Sequence, residues 1–89
     1  MKEKIIFTRG DVEVQNIKVD DIHYEYDYGC FVKVKVLTEP VETEKGFWDW
    51  EAENLLTGEK ISYRVSEEYG SQIGVKLYTY EAYIGCTQI

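Results

Sequence analysis

The stretch Trp48-Asp49-Trp50-Glu51-Ala52-Glu53-Asn54-Leu55-Leu56-Thr57-Gly58-Glu59-Lys60-Ile61-Ser62-Tyr63-Arg64-Val65 alternates apolar and polar positions on either side of a turn signal. Successive side chains of a strand point to opposite faces, so Trp48, Trp50 and Ala52 share one face with Ile61, Tyr63 and Val65. With Thr57-Gly58 at the centre of the loop, the pattern predicts a β-hairpin in which Asn54 faces Ile61, Ala52 faces Tyr63 and Trp50 faces Val65. The same register sets Glu51 beside Arg64 and Glu53 beside Ser62 on the other face. A slip of one residue would place Trp50 against Arg64 and Glu51 against Tyr63, mixing apolar with charged groups, so the hydrophobic pattern selects against it.

Working outward, strand signals continue in both directions. Val12 and Val14 alternate with Asp11 and Glu13; Gln15-Asn16 then shifts the phase so that Ile17 and Val19 are in step. A phase slip of this kind predicts a β-bulge or bend. Ile22, Tyr24, Tyr26 and Tyr28 take every second place up to Gly29, a turn signal, and Cys30, Val32, Val34 and Val36 do the same after it. The polar run Thr38–Gly46, with the single proline Pro40, reads as a long loop or a frayed hairpin end. Ser66-Glu67-Glu68-Tyr69-Gly70-Ser71 reads as one helical turn with Ser66 as its cap. From Val75 to Ile84 both alternating sets are largely apolar or aromatic, which predicts a last strand covered on both sides or lying at an interface.

Eighty-nine residues suit one domain spanning 1–89. A chain of this mass buries roughly 64% of its extended surface, enough for one modest core. Eight tyrosines, three phenylalanines and two tryptophans supply large rings for it. Ten basic against seventeen acidic residues give a net charge of −7, which repels nucleic acid and anionic membranes at long range. The start of the chain has only Ile5-Ile6-Phe7 as an apolar run, far short of a signal peptide or membrane span, so a cytoplasmic location is expected. Cys30 and Cys86 are then expected to be free, small apolar groups.

Three pieces in order, Trp48-Asp49-Trp50-Glu51-Ala52, Thr57-Gly58-Glu59 and Ser66-Glu67-Glu68-Tyr69, resemble the central part of Src-homology-three domains. The resemblance covers about a quarter of the chain. The family's amino-terminal Ala-Leu-Tyr-Asp-Tyr strand is missing, although Leu77-Tyr78-Thr79-Tyr80 has a similar look, and the proline and asparagine expected before Tyr69 are replaced. The resemblance implies a small, strongly bent barrel, and faintly implies peptide binding by Trp48 and Tyr69. Short acidic, tyrosine-rich chains of this style are also similar to small bacteriophage proteins. The fold expected is therefore mainly β: a single five- to six-stranded antiparallel barrel or strongly bent sheet, Src-homology-three-like, with at most one short helical turn.

Motifs that would carry chemistry are sparse. His23 is the only histidine and, without a companion or a Cys-x-x-Cys pair, reads as an exposed strand position rather than a metal ligand. A Cys30–His23 nucleophile pair would lack an oxyanion loop. Acids two apart on one strand, such as Glu25 and Asp27, project about 7 Å apart, but every acidic strand does this, so they read as a solvated face. Arg9-Gly10-Asp11 reads as a turn in which Gly10 supplies a positive φ. Lys33 and Lys35 are expected to complement acids across the sheet.

These features point to binding rather than catalysis, with no cofactor and no metal. The leading expectation is a non-catalytic protein-interaction module that uses exposed Tyr and Trp surface, with Phe47, Trp48, Asp49, Glu51, Glu53, Tyr69, Tyr78 and Tyr80 as the contact residues. The second is an acidic inhibitor or nucleic-acid mimic that blocks a basic site on another protein. Its motive is the run from 39 to 53, where six acids stand against Lys45 alone. A tyrosine-rich last strand would also offer an edge for a homodimer.

Overall fold

A computed structural model describes residues 8, 10–27, 29–66 and 76–87. In chain order these form a 3-10 turn at Val14–Asn16, strands β1 (Ile22–Asp27), β2 (Cys30–Val36), β3 (Val41–Glu44), β4 (Phe47–Asn54), β5 (Lys60–Ser66) and β6 (Leu77–Tyr78), and helix α1 (Tyr80–Thr87). All strand pairs are antiparallel, in the order β3-β4-β2-β1-β6, with β5 on the other edge of β4. The fold is thus mainly β, one antiparallel sheet with one short helix. Among the described residues its backbone ladder does not close on itself, so a barrel is not established.

The tryptophan hairpin forms, with the expected faces and a different register. Trp50 pairs with Tyr63, Ala52 with Ile61, Asp49 with Arg64 and Glu53 with Lys60, two residues away from the predicted alignment. A two-residue shift leaves every side chain on its face, so hydrophobic alternation alone could not detect it. The loop chemistry decides instead. Asn54 Oδ1 accepts from the N–H groups of Leu56 and Thr57, and the Asn54 carbonyl accepts from Gly58 N–H at 2.7 Å. Gly58 ends that loop at φ 80, a left-handed conformation that side chains disfavour. Thr57-Gly58 therefore closes the loop rather than centring it.

Strands β2 and β3 share the second edge of β4 in series. Val36 pairs with Ala52, Val41 with Asp49 and Glu42 with Trp48. Between them the N–H groups of Leu37 and Thr38 both donate to the Glu51 carbonyl, and Thr38 Oγ1 accepts from Glu51 N–H. This bulge, followed by Pro40, bends the sheet. The polar run is thus the hairpin end of its two sequence readings, with β3 exposed along its whole length.

The inner face gathers Val12, Val14, Ile17, Val34, Val36, Trp50, Ala52, Tyr63, Val65 and Leu77. Curling brings β5 toward β1: the Tyr63 hydroxyl, on a residue only 3% exposed, donates to Glu25 Oε1 at 2.5 Å.

Several expectations need correction. The phase slip at Gln15-Asn16 marks the 3-10 turn, held by Asn16 N–H to Glu13 O and Ile17 N–H to Val14 O, rather than a bulge between two strands. Gly10 has no positive φ. A Cβ there would lie 2.0 Å from the Leu77 carbonyl oxygen, so close approach is what requires glycine. His23 is buried at 6% exposure rather than exposed. Cys30 is free and lies exposed, and the side chain of Cys86 is outside the described residues.

The largest departure is at the end of the chain. The expected strand 75–84 is only Leu77–Tyr78, and Tyr80–Thr87 is an α-helix of 8 residues, longer than a single turn. Thr79 caps it, its Oγ1 accepting from Ala82 N–H, and Tyr80, Tyr83 and Ile84 have the i, i+3, i+4 spacing of one helix face. Nor is the short strand a free edge. Leu77 O accepts from Asp11 and Val12 N–H on the side away from β1. The one-turn helix expected after Ser66 lies outside the described residues, save that Ser66 itself ends β5. No helix among the described residues is long and apolar enough to cross a membrane.

Candidate functional site

The outer face of the sheet has two halves. On β3, β4 and β5, alternation that sends Trp50 inward sends Asp49, Glu51 and Glu53 outward, opposite Arg64, Ser62 and Lys60. Arg64 grips Asp49 with two bonds, Nε to Oδ1 at 2.8 Å and Nη2 to Oδ2 at 3.0 Å, and Thr43 Oγ1 donates to the same carboxylate at 2.8 Å. These bonds, that of Arg64 foremost, hold the Asp49 carboxyl below the usual range, and the same bond raises Arg64 above its own. The guanidinium also lies 5.2 Å from the Phe47 ring centre, within cation–π range.

Lys60 reaches Glu51 at 3.3 Å, and Lys35 stands opposite Glu53 in the β2–β4 register. The acidic ladder therefore meets a basic answer from β5 and β2 that the linear sequence separates by seven residues or more. Of the two lysines expected to complement acids, Lys35 is thus aligned with one, whereas Lys33 is aligned with Tyr24. A groove of about 550 Å³ runs along this half, with Val41, Thr43, Asp49, Glu51, Ser62 and Arg64 in its walls.

The other half is aromatic. In the β1–β2 register Tyr24 pairs with Lys33 and Tyr26 with Phe31, while Tyr24 pairs with Tyr78 on β6. Helix α1 covers these rings. Tyr83 stacks on Tyr24 with centroids 4.0 Å apart and planes 5° from parallel, and Phe31 meets Tyr83, Tyr78 and Tyr26 edge-on at 5.1, 5.8 and 5.1 Å. Tyr80 tilts against Tyr24 at 6.2 Å. This second, smaller core takes up much of the tyrosine surplus that the sequence suggested was exposed. Its rim stays open: Tyr80 is 57% exposed and Tyr26 38%. Lys76 places its ammonium 5.4 Å from the Tyr26 ring centre.

Of the residues named from sequence, Phe47, Asp49, Glu51 and Glu53 share the charged half, and Tyr78 and Tyr80 belong to the aromatic half. Trp48 points the other way. It pairs with Val65, packs against the inner core and has its indole Nε1 shielded from water without a partner. Tyr69 lies outside the described residues. Sequence reasoning missed Tyr83, Phe31 and Arg64. The i, i+3 spacing of Tyr80 and Tyr83 behind a Thr cap was the available signal for the first; nothing local marked the others.

In chemical terms the face offers hydrogen-bond acceptors, ring edges and a few apolar positions such as Val41, 59% exposed. Comparison with protein-family models, with curated proteins and with solved structures gave no match to this chain.

Proposed function

We propose that this chain is a non-catalytic protein-interaction module that docks a partner on its outer face, with Tyr26, Tyr78 and Tyr80 as aromatic anchors. The observation that carries this reading is the aromatic layer under α1, whose rim presents partly exposed rings packed against the buried Tyr24 and the half-buried Phe31. Rings already ordered by neighbours lose little conformational freedom when they bind, and tyrosine is enriched where interfaces concentrate their energy. The neighbouring groove, with its Arg64–Asp49 pair, would supply the polar border of such an interface. With this reading goes a finer view of the fold as a small barrel of the Src-homology-three style, supported by the Tyr63–Glu25 bond that spans from β5 to β1.

The test is affinity capture from the source cells with the wild type and with a Tyr26→Ala/Tyr80→Ala double variant. Both positions are exposed, so folding should be retained, which a thermal melt checks. Partners bound by the wild type and lost from the folded variant support the reading; a variant that keeps every partner refutes it.

The acidic-mimic alternative draws support from the exposed Glu39, Glu42 and Glu44 at and beside β3. It requires that binding weaken steeply with added salt and compete with DNA or RNA. Binding that is flat in salt would discard it.

A further inference from the structure

The two halves of the outer face complement each other in charge. The aromatic half carries lysines: Lys33 is exposed and level with Tyr24 in the β1–β2 register, and Lys76 places its ammonium over Tyr26. The charged half ends at β3, where Glu39, Glu42 and Glu44 are exposed beside one lysine, Lys45. Glu44 is aligned with Phe47, and Asp49 and then Glu44 are the acids whose charge acts on Arg64. Between the halves Lys35 stands level with Glu53, so the border is balanced.

Apolar exposure is gathered on the same face. Seven large apolar side chains are exposed among the described residues, and four of them, Ile22, Tyr26, Val41 and Tyr80, belong to it. Strand register places the first three, since Ile22 is aligned with Lys35, Tyr26 with Phe31 and Val41 with Asp49. Tyr80 lies against Tyr24. The tyrosines therefore share an end with the lysines, and Val41 shares one with the glutamates. Apolar groups collected on one face of a small domain mark an interaction surface.

We propose that the partner on this face is a second copy of the chain, packed face to face about a two-fold axis along the border between the halves. The inference rests on the docking reading above and names its occupant. Rotation about such an axis exchanges the halves, so the lysine-bearing aromatic half of each copy meets the acidic half of the other, and every contact is made twice. The groove beside Val41 has an apolar wall and the Ser62 hydroxyl, which suits a ring with an apolar body and a polar tip. Tyr80 is the exposed ring that offers both. Copies of net charge −7 repel at long range. At physiological salt that field is screened beyond ~8 Å, while opposite charges in contact still attract.

Sedimentation equilibrium of the full chain at physiological salt, from micromolar to millimolar concentration, tests the assignment. The expected result is a reversible monomer–dimer equilibrium. Lys33→Glu/Lys76→Glu and Glu39→Lys/Glu44→Lys reverse surface charges, and a thermal melt checks that both variants stay folded. Each variant alone brings like charges together at both contacts and should weaken dimerisation about tenfold or more. An equimolar mixture of the two should recover the affinity of the wild type, because reversed charges then meet reversed ones and native charges meet native ones. A chain that stays monomeric throughout, or a mixture that associates no better than either variant alone, overturns the assignment. A monomeric chain whose Tyr26→Ala/Tyr80→Ala variant still loses captured partners overturns the second copy alone; a variant that keeps every captured partner removes the docking face as well.

Discussion

Replacing Tyr63 with Phe removes one hydroxyl and nothing else, which isolates the bond that ties β5 to β1. The ring remains in the inner core, so no cavity opens and the packing loss is negligible. What disappears is a 2.5 Å hydrogen bond to the Glu25 carboxylate. Bonds to charged groups contribute about 1.5–3 kcal/mol. Glu25 is half-buried, so water can replace part of the lost interaction, and the lower end, about 1.5 kcal/mol, is the expected loss. For a domain of this size that lowers Tm by roughly 6–12 °C.

Urea unfolding followed by tryptophan fluorescence measures the loss as a lower midpoint at an unchanged m-value. Glu25→Gln in the same background supplies a double-mutant cycle, with an expected coupling of about 1 kcal/mol. The bond also predicts a pH effect. Burial first, and then Glu25, push the Tyr63 phenol far above its ordinary value of 10.0. The unfolded chain releases this proton as pH rises through 10.0 while the folded chain retains it, so the contribution is complete below that pH and declines above it. Tyr63→Phe should remove that share of the alkaline decline. A loss below about 0.5 kcal/mol, or a cycle with no coupling, would refute the view that this bond closes the curl of the sheet.

Three further outcomes follow from the same structure. Burial holds the His23 imidazole below its ordinary value of 6.5 despite the opposing pull of Asp21 and Asp11, so the unfolded chain takes up a proton that the folded chain resists. Stability should be complete above that pH and decline below it; the urea midpoint should fall between about pH 7 and pH 5, and fall less in His23→Leu, with equal slopes in both proteins counting against the argument. Gly10→Ala would force a Cβ into the Leu77 carbonyl and should strip the 11–12 segment from β6, seen as faster amide exchange at Asp11 and Val12; unchanged protection would sink the steric account. Tyr83→Ala removes the ring stacked on Tyr24 and should destabilise the domain by about 3 kcal/mol, with loss of the helical signal in circular dichroism. A melt within about 2 °C of wild type would mean that α1 is not held by this layer.

The sequence by itself determined which residues face inward. Alternation around Trp50, Ala52, Tyr63 and Val65 needs only the two-residue period of a strand, and burying indole and phenol rings enforces it. For the same reason register escaped: a shift of two preserves every face, and the choice fell to the hydrogen bonds that Asn54 and Gly58 make in the loop. The end of the chain escaped because Tyr78, Tyr80, Ala82 and Ile84 satisfy a strand period while Tyr80, Tyr83 and Ile84 satisfy a helix period. Only packing against Tyr24 and Phe31, some fifty residues earlier, settles between them.

Charge is the sharpest contrast. Read along the chain, the charged residues from 39 to 53 are six acids and a single lysine, whereas strand pairing sets Arg64, Lys60 and Lys35 against that ladder. A pocket bordered by Asp11, Glu13, Asp21, His23 and Thr79 likewise joins distant parts of the chain, which meet where Leu77 accepts the N–H groups of Asp11 and Val12. Local periodicity fixes which way a side chain points; only closure of the chain over long sequence separations fixes what it meets there.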